Sequence, residues 1–408
     1  MRFSRPTPND IGTYLTLLAV TVPVISIAAA QIFLALAILA LLLQKILDRQ
    51  MPLPYPPVTL PLSLLFATTL AALIASPEPS IGLPPINKFW LFAIPALVLT
   101  YFDAKRVLQG HRLLMVLAVA AALLAILQAA LLGLGSVEAR VTGFMGHWMT
   151  LSGELLLTFT TVAAYLVFYR PRSPLLWSSA LIVLSLALWL TLTRSVWIAA
   201  LCGLILVLLM RGLGWKTYAL GGLALMVVLA VLPKSSLLRI ASIFDRNDPS
   251  NYARLAIWKA GVEMVRQHPW FGVGPQRISK VFYDYHPFPE DRYRDGFFPV
   301  HMHNNLLQFA AERGIPCALA WLWLMLKLAT DNWKGFRHNP KDRERRSLYA
   351  VGFLSVVTLF VAGLFEFNFG DSEVLMIFLF LSTAPYSCLP RNQLESTDLG
   401  PGETDVSR

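Results

Sequence analysis

Apolar runs of about 17–25 residues, repeated along almost the whole chain, constrain this sequence most. A run of that length spans a bilayer as a helix, because in hydrocarbon every backbone N–H and C=O must find its partner within the segment or bundle. About twelve such runs are expected, near 11–29, 31–47, 57–76, 89–103, 113–133, 149–169, 175–193, 195–210, 218–232, 305–329, 347–365 and 374–389. The boundary near Gln31 is soft, and one long tilted helix there would change the count. Composition agrees: 56% of the 408 residues are hydrophobic and 14% charged, where a soluble domain carries about 25% charged residues. The expectation is an all-α polytopic membrane protein.

No small-residue cleavage site follows the first apolar stretch, so no removable signal peptide is expected. Cys202, Cys317 and Cys388 are scattered through apolar segments and suggest neither a disulfide framework nor a metal site. The chain divides into spans one to nine over 1–232, an external loop with short helices over 233–305, and spans ten to twelve over 306–389. A polar tail over 390–408 reads as disordered.

Arg and Lys set the orientation. They cluster in alternate connections: Arg2 and Arg5, Lys45 and Arg49, Lys105 to Arg112, Arg170 and Arg172, Arg211 and Lys216, and Lys334 to Arg346. With twelve spans all of these share the cytoplasmic side with both termini, and the large loop is periplasmic. The net charge of +10 is then a topology signal rather than a nucleic-acid site. Three short outward connections nevertheless carry a basic residue each: Lys88, Arg140 and Arg194. One such residue reads as snorkelling at the interface. Three on one face, with only Glu138 and Glu154 near them in sequence, suggest an anionic ligand.

The long loop adds to this set. Asp248-Pro249-Ser250 reads as a helix start, with Asp248 or Ser250 as cap and Pro249 in the first turn. Leu255, Trp258, Val262 and Val265 recur at helical spacing as one apolar stripe. Arg254 falls in the first turns, where its guanidinium and the helix N-terminus would both favour a phosphate. His268 to Pro275 is a turn cluster, too short and Pro-rich for a dinucleotide loop. The segment 283–295, rich in Tyr, Asp and Arg, suits sugar stacking or a plain mobile loop. His303 stands where the chain re-enters the membrane, a titratable imidazole at a membrane–water boundary.

Several of these residues form a series. Arg194-Ser195-x-Trp197 resembles the Arg-Ser/Thr motif of the O-antigen ligase and polymerase superfamily. Arg254-x3-Trp258 with Pro269-x2-Gly272-x-Gly274 resembles the segment before its catalytic histidine, and His303-Asn304-x9-Gly314 resembles its His-Asn-x9-Gly signature. Arg140-x2-Gly143 looks like a shorter motif of the same group. The resemblance implies a GT-C-like membrane glycosyltransferase of the inner membrane. Its donor would be undecaprenyl-pyrophosphate-linked O-antigen, and its acceptor a sugar hydroxyl of lipid A–core on the periplasmic face. A polymerase or a protein O-oligosaccharyltransferase remains as an alternative from the same motifs. A flippase for a lipid-linked glycan is the non-enzyme alternative. It would require polar residues deep in several helices and a visible repeat.

Chemistry then distributes roles. A leaving pyrophosphate needs fixed positive charge, which Arg194 and Arg254, then Arg140 and Lys88, could supply. The acceptor hydroxyl needs a general base, which His303 could be. His301, two residues earlier, is expected to point elsewhere and is the weaker binding candidate. Asn304 could orient His303 or the acceptor. Glu366, Asn368 and Asp371, near the turn between the last two spans, could touch the acceptor or position His303. Glu312 reads as structural. The sequence has no Asp-x-Asp, and the expectation is a metal- and cofactor-independent, inverting reaction. His286, His301 and His303 are the candidates for a metal should one be needed.

Overall fold

Helices account for every regular element among the described residues. The computed structural model describes residues 8–49, 56–134, 136, 139–212, 234–243, 245, 248–285 and 300–389. In chain order the α-helices are α1 (Pro8–Thr21), α2 (Ile27–Leu47), α3 (Thr59–Ala75), α4 (Leu83–Asn87), α5 (Ile94–Tyr101), α6 (Ala104–Leu132), α7 (Trp148–Ala164), α8 (Pro174–Leu190) and α9 (Arg194–Arg211). The loop contributes α10 (Lys234–Ala241), α11 (Pro249–Gln267) and α12 (Ile278–Val281). The remainder is α13 (Asn305–Arg313), α14 (Ile315–His338), α15 (Arg343–Gly363) and α16 (Ser372–Thr383).

Among the described residues, six helical stretches have the length and apolarity to cross a membrane: 27–47, 79–101, 104–132, 148–169, 194–211 and 343–363. Thr59–Ala75, Pro174–Leu190 and Ser372–Cys388 are apolar but shorter. The protein is a multi-pass, all-α membrane protein. The span expected at 218–232 lies outside the described residues.

Burial separates the bundle's centre from its lipid face. Leu151 through Ala164 of α7 are all buried, against α15, α16 and α9. In α2, by contrast, Ile32, Leu36, Leu39, Leu43 and Ile46 are exposed, as lipid-facing side chains are. Short polar residues set the helix starts. Ser26 accepts a hydrogen bond from Ala29 N, Asp103 from Arg106 N and Asp342 from Arg345 N, each satisfying a first-turn donor.

The span expected over 305–329 is instead two helices, broken at Gly314. Gly314 has φ +86°, and a Cβ there would lie 2.1 Å from the carbonyl oxygen of Trp270. The turn cluster 269–274 presses against this break. Val273 N and Gly274 N donate to the carbonyls of Ala311 and Glu312, and Ile315 N donates to that of Pro269. The last-turn carbonyls of α13, orphaned by the helix end, thus bond to the loop. The glycine of the His-Asn-x9-Gly pattern is a close-approach residue that holds the loop on the bundle.

The apolar stripe expected on α11 is also corrected. Leu255 and Val262 are exposed, and the buried face is Ala256, Ile257, Ala260 and Met264. Small side chains let α11 approach closely enough for Trp258 Nε1 to donate to the Met302 carbonyl at 3.0 Å. Close approach won over side-chain bulk in choosing the face.

Candidate active site

His303 sits at the junction of the loop and α13, in a left-handed conformation with φ +48°. A non-glycine residue there stores about 1–3 kcal/mol and is held only by its surroundings. Asn304, next in sequence, does the holding. Its Oδ1 accepts from Leu307 N at 2.9 Å, capping α13, and its Nδ2 donates to the Leu364 carbonyl at 3.0 Å. Asn304 therefore serves His303 as an anchor. This is the first of the two roles open to it from sequence; its amide is bonded to protein at both ends, which argues against the second, contact with the acceptor.

His303 Nδ1 lies 3.0 Å from Glu366 Oε1 and 3.2 Å from Oε2. An ionised carboxylate only accepts hydrogen bonds, so this contact puts the imidazole hydrogen on Nδ1 and leaves the Nε2 lone pair free. Burial alone would raise the Glu366 pKa. The hydrogen bond from His303, with the positive charges of His303, His301 and Arg254, outweighs burial and holds it at about 2. Arg254 approaches Glu366 Oε2 at 3.9 Å. Glu366 thus meets His303 directly, the second of the two roles open to it from sequence.

The turn bearing Glu366 is fixed by a residue that sequence reasoning passed over. Asn305, fully buried, donates from Nδ2 to Asn368 Oδ1 at 2.7 Å and accepts from Phe369 N at 3.2 Å. A buried Asn beside the signature histidine was the available signal, since a buried amide must be bonded.

His301 does not point elsewhere. Its ring stands edge-on to His303 with centroids 4.1 Å apart, its Nδ1 accepts from His303 N at 3.3 Å, and its Nε2 is 3.8 Å from Glu366 Oε1. Burial, then the neighbouring His303, push its pKa down to about 4, against the raising effect of Glu366. The chain doubles back at the left-handed His303, and this reversal brings the pair together.

Three of the expected arginines meet in one cavity. Arg140, Arg194 and Arg254 line it together with His303, Trp148 and Leu192, around about 200 Å³. Arg140 is set by its own turn: Gln128 Oε1 accepts from Thr142 N and Gly143 N, and the guanidinium stacks 4.9 Å from the Trp148 ring centroid. Trp197, the aromatic of the Arg-Ser-x-Trp series, stacks on Trp189 at 4.3 Å and fixes the start of α9 against the end of α8.

Arg194 is placed differently from expectation. Its guanidinium donates to the Ser242 carbonyl and hydroxyl at 2.8 Å, to Asp248 at 3.2 Å, to Asn251 at 2.9 Å and to Ser250 Oγ. Asp248 meanwhile caps α11 as expected, accepting from Ser250 N and Asn251 N. The α11 N-terminus already faces a carboxylate, so it is not the phosphate seat expected from sequence. Arg194 ties that capped end to α9 and so aims Arg254, one turn further on.

Lys88 lies apart from the arginines. Its Nζ donates to the Gly370 carbonyl at 2.7 Å. It lines a second cavity of about 250 Å³, with His301, Gln308, Arg313 and several phenylalanines. Glu312 is structural as expected: Oε2 lies 3.7 Å from Arg313 Nε within the bundle, and Oε1 accepts from Gln276 N of the loop at 2.9 Å. Asp371, bonded to Thr150, is raised to about 6 by burial and by Glu373 and Glu366. His286 lies outside the described residues.

A metal has one place to go among the described residues. One nitrogen each from His301 and His303 and a Glu366 oxygen lie within 4.8 Å of one another.

The family model described as O-antigen ligase matches residues 179–322, about a third of the chain, from α8 through the loop to α14. Over that segment the chain is similar to the O-antigen ligase family, which supports the superfamily resemblance read from its motifs. The matched segment contains Arg194, Arg254, His301, His303 and Asn304. It does not separate ligase from polymerase. No curated protein matches the chain.

Proposed function

We propose that this chain is a member of the O-antigen ligase/polymerase superfamily and a glycosyltransferase of ligase type. It would move O-antigen from undecaprenyl pyrophosphate to a sugar hydroxyl of lipid A–core at the periplasmic face of the bacterial inner membrane. The observation that carries the reading is the convergence of His303, oriented by Glu366, with Arg254 and Arg140 on one small cavity. In this account the acceptor hydroxyl gives its proton to His303 Nε2 while its oxygen bonds to the anomeric carbon. The carbon–oxygen bond to pyrophosphate breaks, the configuration inverts, and the new imidazolium is stabilised by the Glu366 carboxylate. Arg254 and Arg140 take the charge that develops on the leaving pyrophosphate, where removing one such donor costs on the order of 10²–10³-fold in rate. Arg194 acts as a positioning residue. The second cavity, with Lys88 and His301, is where the acceptor would lie. Turnover needs no metal, because guanidinium groups meet the charge.

The same geometry would serve a polymerase. The test is purified protein with undecaprenyl-pyrophosphate-linked O-antigen and lipid A–core. Glycosylated lipid A–core is the expected product. Elongation of the donor lipid, with lipid A–core untouched, would make the protein a polymerase.

A further inference from the structure

We propose that His301, His303 and Glu366 also form a binding site for a zinc-type divalent metal, and that metal bound there switches the base off. The binding half stands on geometry; the inhibitory half rests on the function proposed above.

Glu366 Oε1 is the shared apex of the cluster, 3.0 Å from His303 Nδ1 and 3.8 Å from His301 Nε2. Ligands about 2.0–2.1 Å from a tetrahedral zinc stand about 3.3 Å apart. The two edges bracket that value, so modest side-chain shifts would seat a metal. Two imidazoles and a carboxylate are donors zinc accepts, and they leave its fourth position open. His301 and His303 each border a cavity, which gives a metal an approach. Arg254, 3.9 Å from Oε2, is the opposing charge and weakens the site.

The consequence for the base follows from the two ring nitrogens. A metal bonded to His303 Nδ1 replaces the hydrogen bond to Glu366. The neutral imidazole then carries its hydrogen on Nε2, the atom that must accept the hydroxyl proton. No oxidation change is involved: the metal takes one lone pair and the proton moves to the other nitrogen. The role of His301 is to supply the third ligand that makes the site metal-selective.

The experiment uses the full chain in detergent, stripped with a chelator, and titrates ZnCl₂ by calorimetry and CoCl₂ by visible absorption. One zinc per chain and the visible bands of tetrahedral cobalt are expected. His301→Ala and Glu366→Gln should each weaken zinc binding by about tenfold or more. His301→Gln, checked by its unfolding midpoint, guards against a folding defect. In the transfer assay, zinc should inhibit wild type over the concentration range in which it binds. Absence of stoichiometric binding, or binding unchanged by all three variants, would overturn the site. Binding without inhibition would overturn the switch. Transfer lost on chelation and restored by zinc would overturn both the switch and the metal-free reaction. The binding arm reads out whether or not glycan transfer is observed.

Discussion

The His303–Glu366 pair asks more of single residues than any other part of the molecule. A carboxylate held near 2 stays ionised at every pH where the protein works, so it keeps the His303 Nδ1 hydrogen in place throughout. Glu366→Gln keeps the shape but removes the charge that stabilises imidazolium. It should lower turnover on the order of 10²–10⁴-fold with donor affinity little changed, read from kcat against KM. Protonation also couples to stability. Glu366 is depressed in the folded protein, so its contribution is present above its ordinary value of 4.5 and is lost as pH falls through about 2. His301 is depressed to about 4, so the unfolded chain takes up its proton first as pH drops below 6.5, and stability falls between 6.5 and 4. Wild type should therefore lose more of its unfolding temperature between pH 6.5 and 4 than His301→Gln does; equal losses would contradict the assignment.

At the scale of elements, the site depends on three tethers: the α13 cap, the Asn305 bridge to the 364–371 turn, and the Arg194 tie to the start of α11. Asn305→Ala removes both bridge bonds and strands Asn368 Oδ1 and Phe369 N, a cost of about 1–3 kcal/mol. It should lower the unfolding temperature and, by loosening Glu366, lower kcat as well. Gly314→Ala forces a Cβ onto the Trp270 carbonyl at a left-handed φ and should destabilise by about 1–3 kcal/mol or more, separating loop from bundle. The helices with long apolar runs and the cap at Asp248 were legible because length, apolarity and capping act locally. The α11 face and the break at Gly314 were not, since both are decided by what packs against them. Among the site residues, His303, Arg254 and Arg140 could be read from their placement and motifs. The saturation of Arg194 and the bridge at Asn305 could not, because hydrogen-bond partners 48 to 64 residues away leave no trace in local spacing.

For the whole molecule, the proposed topology has the cavities on the periplasmic side of a multi-pass protein and the basic connections on the cytoplasmic side. In a background lacking Cys202, Cys317 and Cys388, a cysteine at exposed Gln267 should react with a membrane-impermeant maleimide added from the periplasm, and one at Arg172 should not. Reversed labelling would invert the topology. Orientation matters because, in the proposed reaction, both substrates would reach His303 from the bilayer, His303 lining the cavity of arginines and His301 the second cavity. The most direct measurement is glycan transfer to lipid A–core by chelator-treated wild type beside His303→Ala, with donor binding followed in both. Product from wild type without metal is expected, with a loss on the order of 10²–10⁴-fold in His303→Ala at unchanged donor affinity. Undiminished transfer by His303→Ala would contradict the proposed reaction.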